Sequence, residues 1–432
     1  MAGGRNTDAR RPGQGVEVRR ARQRAFLIAA GPEPEYGLPE LRELMATAGA
    51  DVVGEATQLR QDSHPDSYVG SGRAAEIAED LKATDANLVV CDDELTPRQE
   101  RSLEKVLGMP VIDRTAVILD IFAQHAGSAE GKLQVELAQL EYNLVRMRGL
   151  WTHLERLGGG IGTRGPGESQ LETDRRLARD RISVVKRRLG RVGSARGRMR
   201  AERERSAVPA LALVGYTNAG KSTLMKAMTG AEVGVRDELF HTLDPTTRTF
   251  EHRGRSYVVT DTVGFIRKLP HQLVDAFAAT LEETIKADLL LVVSDGSQDA
   301  DEARRQSEAV AETLEGIGAA SVPRLEVVNK VDLLDADQRS ELSARAPASL
   351  QVSAVTGEGL DSLFDAASAA IRARLTPFEL LIPHSEGRVI GELHKVAGDL
   401  ERDDRPEGVL LKARLNSAQA ARYSQYVVGS DQ

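Results

Sequence analysis

Residues 208–222 read VPALALVGYTNAGKS, and this stretch constrains the fold more than any other part of the sequence. The apolar run ALALV predicts a buried strand, and TLMKAMTG after it predicts a helix. Between them lies G-x-x-x-x-G-K-S, a phosphate-binding loop in the strand–loop–helix context that it requires. Gly215 and Gly220 let backbone N–H groups curl round phosphates. Lys221 reaches the outer phosphates, and the Ser222 hydroxyl is placed for Mg²⁺ at a helix N-terminus.

Four more motifs follow this P-loop in the order that a GTP-binding domain needs. SYVVTDTVG predicts a strand ending at Asp261, which can hold Mg²⁺ through water, and the amide of Gly264 can meet a γ-phosphate. The strand LLLVVSDGS comes next. RLEVVNKVD ends in Asp332, whose two acceptors suit the two donor edges of guanine, while Asn329 would tie its loop to the P-loop or the base. LQVSAVTGEG supplies Ser353 and Ala354, a strand-end loop that can offer an amide to guanine O6. The order predicts GTP, with ATP as the alternative nucleotide.

The segment LFHTLDPTTRTFEH must contain the threonine of the nucleotide-sensing switch. Its candidates are Thr242, Thr246, Thr247 and Thr249, and spacing alone does not choose among them. We expect the segment to order when a γ-phosphate and Mg²⁺ are present.

Two residues bear on the rate of hydrolysis. Phe265 follows Gly264 where many GTPases carry the glutamine that orients the attacking water. Phenylalanine cannot do this, so we expect a slow GTPase when the protein is alone. Asn218 in the P-loop is a candidate ligand for K⁺, and its other reading is a turn-compatible loop residue.

Two different sequence patterns precede the P-loop. From Ala25 to about residue 126, RAFLIAAG, NLVVCDD and MPVIDRTAVILDIFAQHA alternate strands with helices, which predicts a parallel sheet. Two heptad seams follow and predict an antiparallel helical hairpin. The first seam comprises Leu133, Leu137, Leu140, Leu144, Met147 and Trp151, and the second Ala178, Ile182, Val185, Leu189 and Val192.

The glycine-rich stretch GGGIGTRGPGE at 158–168 lies between the seams. Gly160, Gly162 and Gly165 spell G-x-G-x-x-G, but a dinucleotide fingerprint must follow an apolar strand, and these glycines follow a helix. We interpret them as the small, flexible tip of the hairpin, with Arg164 placed to contact phosphate.

Charge is strongly uneven along the chain. The net charge is −8, yet residues 175–205 hold thirteen Lys and Arg against three Asp and Glu. An arginine-rich excess of one sign fits phosphate contact better than an ordinary solvated helix, and the scarcity of aromatic residues there favours a folded RNA over a single strand.

Bulk properties exclude other classes. One cysteine, Cys91, rules out a disulfide framework, and no apolar run approaches the ~18 residues of a membrane span. We expect a cytoplasmic monomer without stable membrane insertion, with a peripheral membrane-associated fraction as a further possibility. Residues 376–429 read as a small α+β domain, and the tail 1–23 as disordered.

The motifs GKLQVELAQLEYNL, GGGIGTRGPGESQLETDRR, GYTNAGKSTL, FHTLDPTTR, DTVGFIRKLP and NKVD resemble those of the HflX family of ribosome-associated GTPases. The similarity extends from about residue 69 to about residue 371. It implies that the N-terminal domain and hairpin bind the large ribosomal subunit and its rRNA, and that the glycine-rich loop approaches the peptidyl transferase region. It also implies a GTP-bound form that splits stalled or hibernating ribosomes, and a GTPase that ribosomes stimulate. The family carries a hydrophobic residue at the position of Phe265.

The resemblance also assigns site residues, with GTP or GDP as the ligand. Phosphate-binding residues would be Gly215, Tyr216, Thr217, Asn218, Ala219, Gly220, Lys221 and Ser222. Mg²⁺ ligands would be Ser222 and Thr242, in a switch contact of Phe240, His241, Thr242, Leu243 and Asp244. The γ-phosphate loop would be Asp261, Thr262, Val263 and Gly264, and Lys221, Thr242 and Gly264 would be catalytic. The guanine site would be Asn329, Lys330, Val331 and Asp332 with Ser353, Ala354 and Val355.

These observations predict a tail at 1–23, an N-terminal α/β domain at 24–130 and a coiled-coil hairpin at 131–206. A GTPase domain at 207–374 and an α+β domain at 375–432 would follow. The predicted function is Mg²⁺-dependent GTP hydrolysis coupled to ribosome dissociation. The alternatives are an NTP-driven rRNA remodeller and a GTP-sensing anti-association factor whose hydrolysis only resets it.

Overall fold

The computed structural model describes residues 23–147, 166–206, 208–230, 239–240, 242–268, 270, 273 and 278–429. Three sheets and a pair of packed helices organise them. The predicted α/β class, with a P-loop domain, an N-terminal unit, a helical region and a C-terminal α+β unit, is confirmed. The glycine-rich prediction at 158–165, including Arg164, and the tail at 1–22 lie outside the described residues.

The N-terminal unit is a parallel sheet between two helical layers. Its strands, in the order β2-β1-β3-β4, are β1 (Arg24–Gly31), β2 (Asp51–Leu59), β3 (Leu88–Cys91) and β4 (Val111–Asp113). Its helices are α1 (Pro34–Thr47), α2 (Ser71–Lys82), α3 (Pro97–Leu107) and α4 (Arg114–His125). Apolar residues of α1 and α4 cover one face of the sheet, and those of α2 and α3 cover the other. The strand order reverses between β1 and β3, so their carboxyl ends form the crevice where such sheets receive ligands.

Two long helices follow: α5 (Ala129–Arg146) and α6 (Pro166–Ser206). Of the second predicted seam, Ala178 and Val185 are buried, and ion pairs join Arg181 to Glu136 and Lys186 to Glu141. The helix α6 begins at Pro166, inside the stretch that was predicted to be a flexible tip. Proline suits the first turn of a helix because its missing N–H would have had no partner there.

The third unit carries a six-stranded sheet in the order β10-β9-β8-β5-β7-β6, parallel except for the β6–β7 pair. Its strands are β5 (Ala210–Gly215), β6 (Thr246–His252), β7 (Arg255–Asp261), β8 (Leu289–Asp295), β9 (Arg324–Asn329) and β10 (Leu350–Gln351). Its helices are α7 (Lys221–Thr229), α8 (Ala278–Ile285), α9 (Ala300–Gly316), α10 (Ala336–Arg345) and α11 (Leu360–Ala373). One face packs on α7 and α11. The other face joins one hydrophobic cluster with α1 and α4, so the two sheets share a core.

The last unit is an antiparallel sheet in the order β12-β13-β11-β14, packed on two helices. Its elements are β11 (Thr376–Ile382), α12 (Gly387–Val396), β12 (Gly398–Arg405), β13 (Gly408–Leu415), α13 (Ser417–Arg422) and β14 (Val427–Gly429). Among the described residues, every helix is too short or too polar to cross a membrane.

Candidate functional site: a guanine-nucleotide centre facing the N-terminal unit

The P-loop lies between the end of β5 and the start of α7, and both of its glycines are required. Gly215 has φ +145°, and a Cβ there would lie 2.1 Å from the Val293 carbonyl oxygen. Gly220 has φ +87°, and its Cβ would lie 2.3 Å from Asn329 Nδ2. Side chains are excluded at both positions by space and by backbone conformation. The backbone amides of the loop can therefore lie close to a bound phosphate group.

Lys221 lies folded back across this loop. Its Nζ donates to the carbonyls of Gly215 (3.1 Å) and Tyr216 (2.7 Å), and the residue is only 6% exposed. Burial lowers the pKa of Lys221 to about 8, and the attraction of Asp261 opposes this only in part. The ammonium group is therefore poorly solvated, and contact with phosphate oxygens would stabilise its charged form.

Three side-chain oxygens meet beside the P-loop. Ser222 Oγ lies 2.6 Å from Asp261 Oδ2 and 2.9 Å from Thr242 Oγ1, and Thr242 Oγ1 lies 3.1 Å from the same carboxylate oxygen. Two hydroxyls and a carboxylate, beside a loop that receives phosphates, form a hard oxygen donor set that fits Mg²⁺. Of the four candidate switch threonines, Thr242 is the one in this group; Thr246, Thr247 and Thr249 belong to strand β6.

The residues after Asp261 approach the P-loop through their backbone. A Cβ on Gly264 would lie 2.8 Å from Thr217 Cγ2 and 3.0 Å from Lys221 Nζ, so glycine is required. Phe265 exchanges backbone hydrogen bonds with Gly215 and Thr217, and its ring is buried in the core. Thr262 Oγ1 donates to the Leu213 carbonyl, and Val263 packs in the same core. The Phe265 ring therefore fixes the loop and offers no polar group to water.

Asn329 joins three loops at the predicted guanine site. Its Nδ2 donates to the Ala219 carbonyl (3.0 Å), and its Oδ1 accepts from the Ala354 amide (3.0 Å). The sequence left open whether this residue ties its loop to the P-loop or to the base, and the structure places the contact at the P-loop. Asp332, in a short 3₁₀ turn after Val331, is exposed. Ser353 is buried and Val355 is exposed.

Lys330, the residue after Asn329, forms an ion pair at the predicted guanine site. It has φ +66°, and its Nζ donates to Asp295 at 2.8 Å. Burial of Asp295 opposes ionisation, but hydrogen bonds from Lys330 and Ser297 outweigh it and leave the pKa of Asp295 below its ordinary value.

The P-loop and the segment after Gly264 are also bound to the N-terminal unit. The Tyr216 hydroxyl donates to Glu40 and accepts from the Arg267 amide (3.0 Å). Glu40 also pairs with Arg114, which is 1% exposed and holds Asp92 at 2.9 Å. Lys268 reaches Asp92 at 3.0 Å. Arg267 and Lys268 of the nucleotide domain therefore form ion pairs with the N-terminal unit, at Glu40 on α1 and at Asp92 just after β3.

The switch segment around Thr242 contacts the N-terminal unit as well. The Phe240 ring lies edge-on to Phe122, with 4.7 Å between centroids, and Asp244 accepts hydrogen bonds at the start of α5. His241 lies outside the described residues. Sequence reasoning missed these partners, because residues more than a hundred positions apart share no local pattern. The serine before α5 is a helix-capping signal, but it does not reveal that a second segment uses the same cap.

A P-loop between a parallel strand and a helix, with an oxygen donor set beside it and the Asn329 loop bonded to it, is the arrangement of a P-loop GTPase. Four family models match in order along the chain: GTP-binding GTPase N-terminal at 35–123, GTP-binding GTPase middle region at 125–203, 50S ribosome-binding GTPase at 210–330, and HflX C-terminal domain at 339–429.

Full-length relatives agree. The chain is 43% identical to GTPase HflX of Caldanaerobacter subterraneus subsp. tengcongensis over 95% of each chain. It is 47% identical to GTPase HflX of Escherichia coli over 88% of this chain and 89% of that protein. The family models and these two relatives show that the chain belongs to the HflX GTPase family, and the predictions of family and of GTP hydrolysis are confirmed. Among solved structures, the chain is also similar to a GTP-binding protein from Sulfolobus solfataricus in complex with GDP, with 25% identity and a TM-score of 0.40 over 81% of this chain and 98% of that one.

Proposed function

We propose that this GTPase binds the large ribosomal subunit through its basic helix α6 and uses GTP to dissociate stalled or hibernating ribosomes. The observation that carries the proposal is the strong excess of positive charge at residues 175–205 in a chain whose net charge is −8. Guanidinium groups match phosphate oxygens, and such contacts dominate affinity for nucleic acid. The description of the matching family model, 50S ribosome-binding GTPase, supports the same partner.

Exposed arginines on α6 are available for such contact. Within the described residues, Arg175, Arg179, Arg181 and Lys186 have acidic partners, whereas Arg176, Arg188 and Arg191 are exposed and make no ion pair. A partner of opposite charge would therefore meet cations that this part of the chain does not already neutralise.

In the proposed reaction, the P-loop amides and Lys221 hold the β- and γ-phosphates, with Gly264 offering its amide to the γ-phosphate. Ser222 and Thr242 would hold Mg²⁺, which neutralises charge on the phosphate oxygens when bound. Asp332 would accept from the guanine edge while Ser353, Ala354 and Val355 approach O6. Because the Phe265 ring is buried, the chain alone lacks a group there to orient water, and we expect slow hydrolysis that ribosomes accelerate.

Asn218 is proposed as a ligand for K⁺ beside the phosphates. It is exposed and has φ +60°, a conformation that asparagine tolerates better than most residues, so the turn role is equally compatible with the geometry. Hydrolysis faster in K⁺ than in Na⁺, with the difference lost in Asn218→Ala, would favour the cation site. Equal rates in the two salts would remove it.

The boundaries at 23, 130, 206 and 374, the monomeric state and the cytoplasmic location remain part of this proposal. The start of α5 at Ala129 and of β5 at Ala210 supports the proposed boundaries at 130 and 206. The location follows from the proposed partner.

Ribosome dissociation is tested by sedimenting intact ribosomes with the protein and GTP, GDP or a nonhydrolysable GTP analogue. The proposal predicts free subunits with GTP and none with GDP. Subunits released equally well by the analogue would mean that binding drives dissociation and hydrolysis only resets the protein. Lys221→Ala should abolish release, whereas Lys226→Ala, an exposed lysine on the same helix, should not. Ribosomes that remain intact with GTP, GDP and the analogue alike would refute the proposal.

A further inference from the structure

Phe240 and Asp244, which lie two residues before and after Thr242, both contact the junction between α4 and α5. We propose that Ser128, the N-cap residue of α5, and Gly131, in its first turn, are positioning residues for GTP hydrolysis: Ser128 binds Asp244, Gly131 leaves room for it, and together they place Thr242 at the Mg²⁺ site. This inference rests on the proposed ligation of Mg²⁺ by Thr242. It adds residues outside the nucleotide-binding motifs to the machinery of the reaction.

Asp244 serves as a second cap on helix α5. Its Oδ2 accepts from the amides of Ser128 (2.7 Å) and Gly127 (3.1 Å), and its Oδ1 accepts from the Ser128 hydroxyl. Ser128 Oγ in turn accepts from the Gly131 amide at 2.8 Å, as the N-cap residue of the helix. A carboxylate at this end satisfies amides that have no partner within the helix and interacts favourably with the helix dipole.

The first turn of α5 is shaped to receive that carboxylate. A Cβ on Gly131 would lie 2.4 Å from Asp244 Oδ1, and one on Gly127 would lie 3.4 Å from Asp244 Oδ2. Glycine inside a helix is unfavourable relative to alanine, so Gly131 has a cost that the helix alone does not explain. The space that it leaves is the space that Asp244 occupies.

The other end of the segment is fixed on α4. The Phe240 carbonyl accepts from His125 Nδ1 at 3.0 Å, and its ring meets Phe122 edge-on with an interplanar angle of 87°. Phe240 has φ +57°, which is unusual for a bulky residue and is maintained only where surrounding contacts determine it. Phe240 and Asp244 therefore both rest on the α4–α5 junction, two residues on either side of Thr242.

The contacts of Phe240 and Asp244 restrict the position of the Thr242 hydroxyl. Thr242 Oγ1 lies within 3.1 Å of Ser222 Oγ and Asp261 Oδ2, and Leu243 is buried beside it. Release of Asp244 would leave one tether and allow the hydroxyl to leave the donor set. Because α5 is also the first helix of the arm proposed to meet rRNA, binding at the arm and ligation of Mg²⁺ would be linked, and linkage is reciprocal.

The decisive variant is Gly131→Ala in the full-length chain, with Gly72→Ala as its control. Gly72 lies in the first turn of α2 with nothing within 4 Å of its Cβ position, so both changes add a methyl group to a helix start and favour the helix. Only the first displaces Asp244. The measurement is single-turnover GTP hydrolysis as a function of Mg²⁺ concentration, with GDP affinity and melting temperature measured alongside.

We expect Gly131→Ala to raise the half-saturating Mg²⁺ concentration about tenfold, the equivalent of about one hydrogen bond to a charged group. GDP affinity and melting temperature should change little, because a diphosphate leaves the Thr242 contact unused. Gly72→Ala should match the wild type in GDP affinity and Mg²⁺ dependence, with a melting temperature equal to that of the wild type or slightly higher. A merely structural role for Gly131 would lower the melting temperature and leave the Mg²⁺ dependence unchanged.

A second pair guards against a variant that fails to fold. Ser128→Ala removes a capping hydroxyl that contacts Asp244, and Thr96→Ala removes one that caps α3 without contacting the switch segment. Only Ser128→Ala should shift the Mg²⁺ dependence. Unchanged half-saturation in both Gly131→Ala and Ser128→Ala would overturn the inference while the Mg²⁺ site stood. Hydrolysis by the wild type that is indifferent to Mg²⁺ would refute the site itself and the inference with it.

Discussion

The side-chain amide of Asn329 holds three loops together, and Asn329→Ala should disrupt the guanine site without unfolding the protein. The residue is 2% exposed, and its two hydrogen bonds, both 3.0 Å long, reach Ala219 in the P-loop and Ala354 in the loop after β10. Alanine would remove both bonds and leave a carbonyl and an amide to find new partners.

The size of the effect follows from those two bonds. Each contributes about 0.5–1.5 kcal/mol net, and a buried group left without a partner costs about 1–3 kcal/mol more. Water can reach part of the opened site, so we take about 2 kcal/mol as the loss in nucleotide binding. That corresponds to GDP affinity about 30-fold weaker.

The assay is titration of nucleotide-free protein with GDP, followed by calorimetry, with circular dichroism to check the fold. Gln351→Ala is the matched control, since Gln351 lies on neighbouring β10 and donates only to the exposed Ser343 hydroxyl. The control should bind GDP within about twofold of the wild type, well under the ~1.4 kcal/mol of a tenfold change. Asn329→Ala binding as tightly as the control would refute the argument that this amide assembles the site.

Three further predictions concern stability and metal dependence. Arg114→Met should lower the free energy of unfolding by about 2 kcal/mol in urea, because Asp92 and Glu40 lose the most buried of their cations while Arg267 and Lys268 stay beside them; unchanged stability would contradict this. Asp295→Asn should lower the free energy of unfolding at neutral pH. Because the pKa of Asp295 is lowered in the folded protein, the difference in free energy between variant and wild type should shrink as pH falls below 3.8, where protonation removes the pairing with Lys330. A difference that does not depend on pH would contradict this. Chelation of Mg²⁺ should stop GTP hydrolysis, and Ser222→Ala should raise the Mg²⁺ requirement; full activity in chelator would exclude the proposed donor set.

The nucleotide-binding sheet could be predicted from sequence because its signals are local. Buried parallel strands are continuous apolar runs, and each ends in the residues that carry chemistry, as β5 does at Gly215 and β7 at Asp261. The motif order then identified the class of nucleotide. Spacing alone did not choose among the four threonines. The family resemblance pointed to Thr242, and in the structure its hydroxyl lies 2.9 Å from Ser222 Oγ.

Polar edge strands and contacts between distant segments could not be predicted. Strand β2 and the charged β12 (Gly398–Arg405) lie at sheet edges, and the sequence analysis assigned no strand to either, because an edge strand buries too little to show an apolar run. The contacts of Glu40 with Tyr216 and of Ser128 with Asp244 span 176 and 116 positions. Such partners depend on how the units pack, which no local pattern records.

The central claim is that a guanine-nucleotide switch governs the binding of a basic arm to ribosomal RNA. Its most direct test is the affinity of the protein for purified large ribosomal subunits, measured by co-sedimentation with a nonhydrolysable GTP analogue and with GDP. Arg188→Gln/Arg191→Gln in α6 is compared with Arg248→Gln/Arg345→Gln, exposed arginines on β6 and α10 of the nucleotide-binding unit. We predict binding at least about tenfold tighter with the analogue, weakened by the arm variant with a reduced salt dependence and unaffected by the control. Binding that ignored both the nucleotide and the arm charges would contradict the claim.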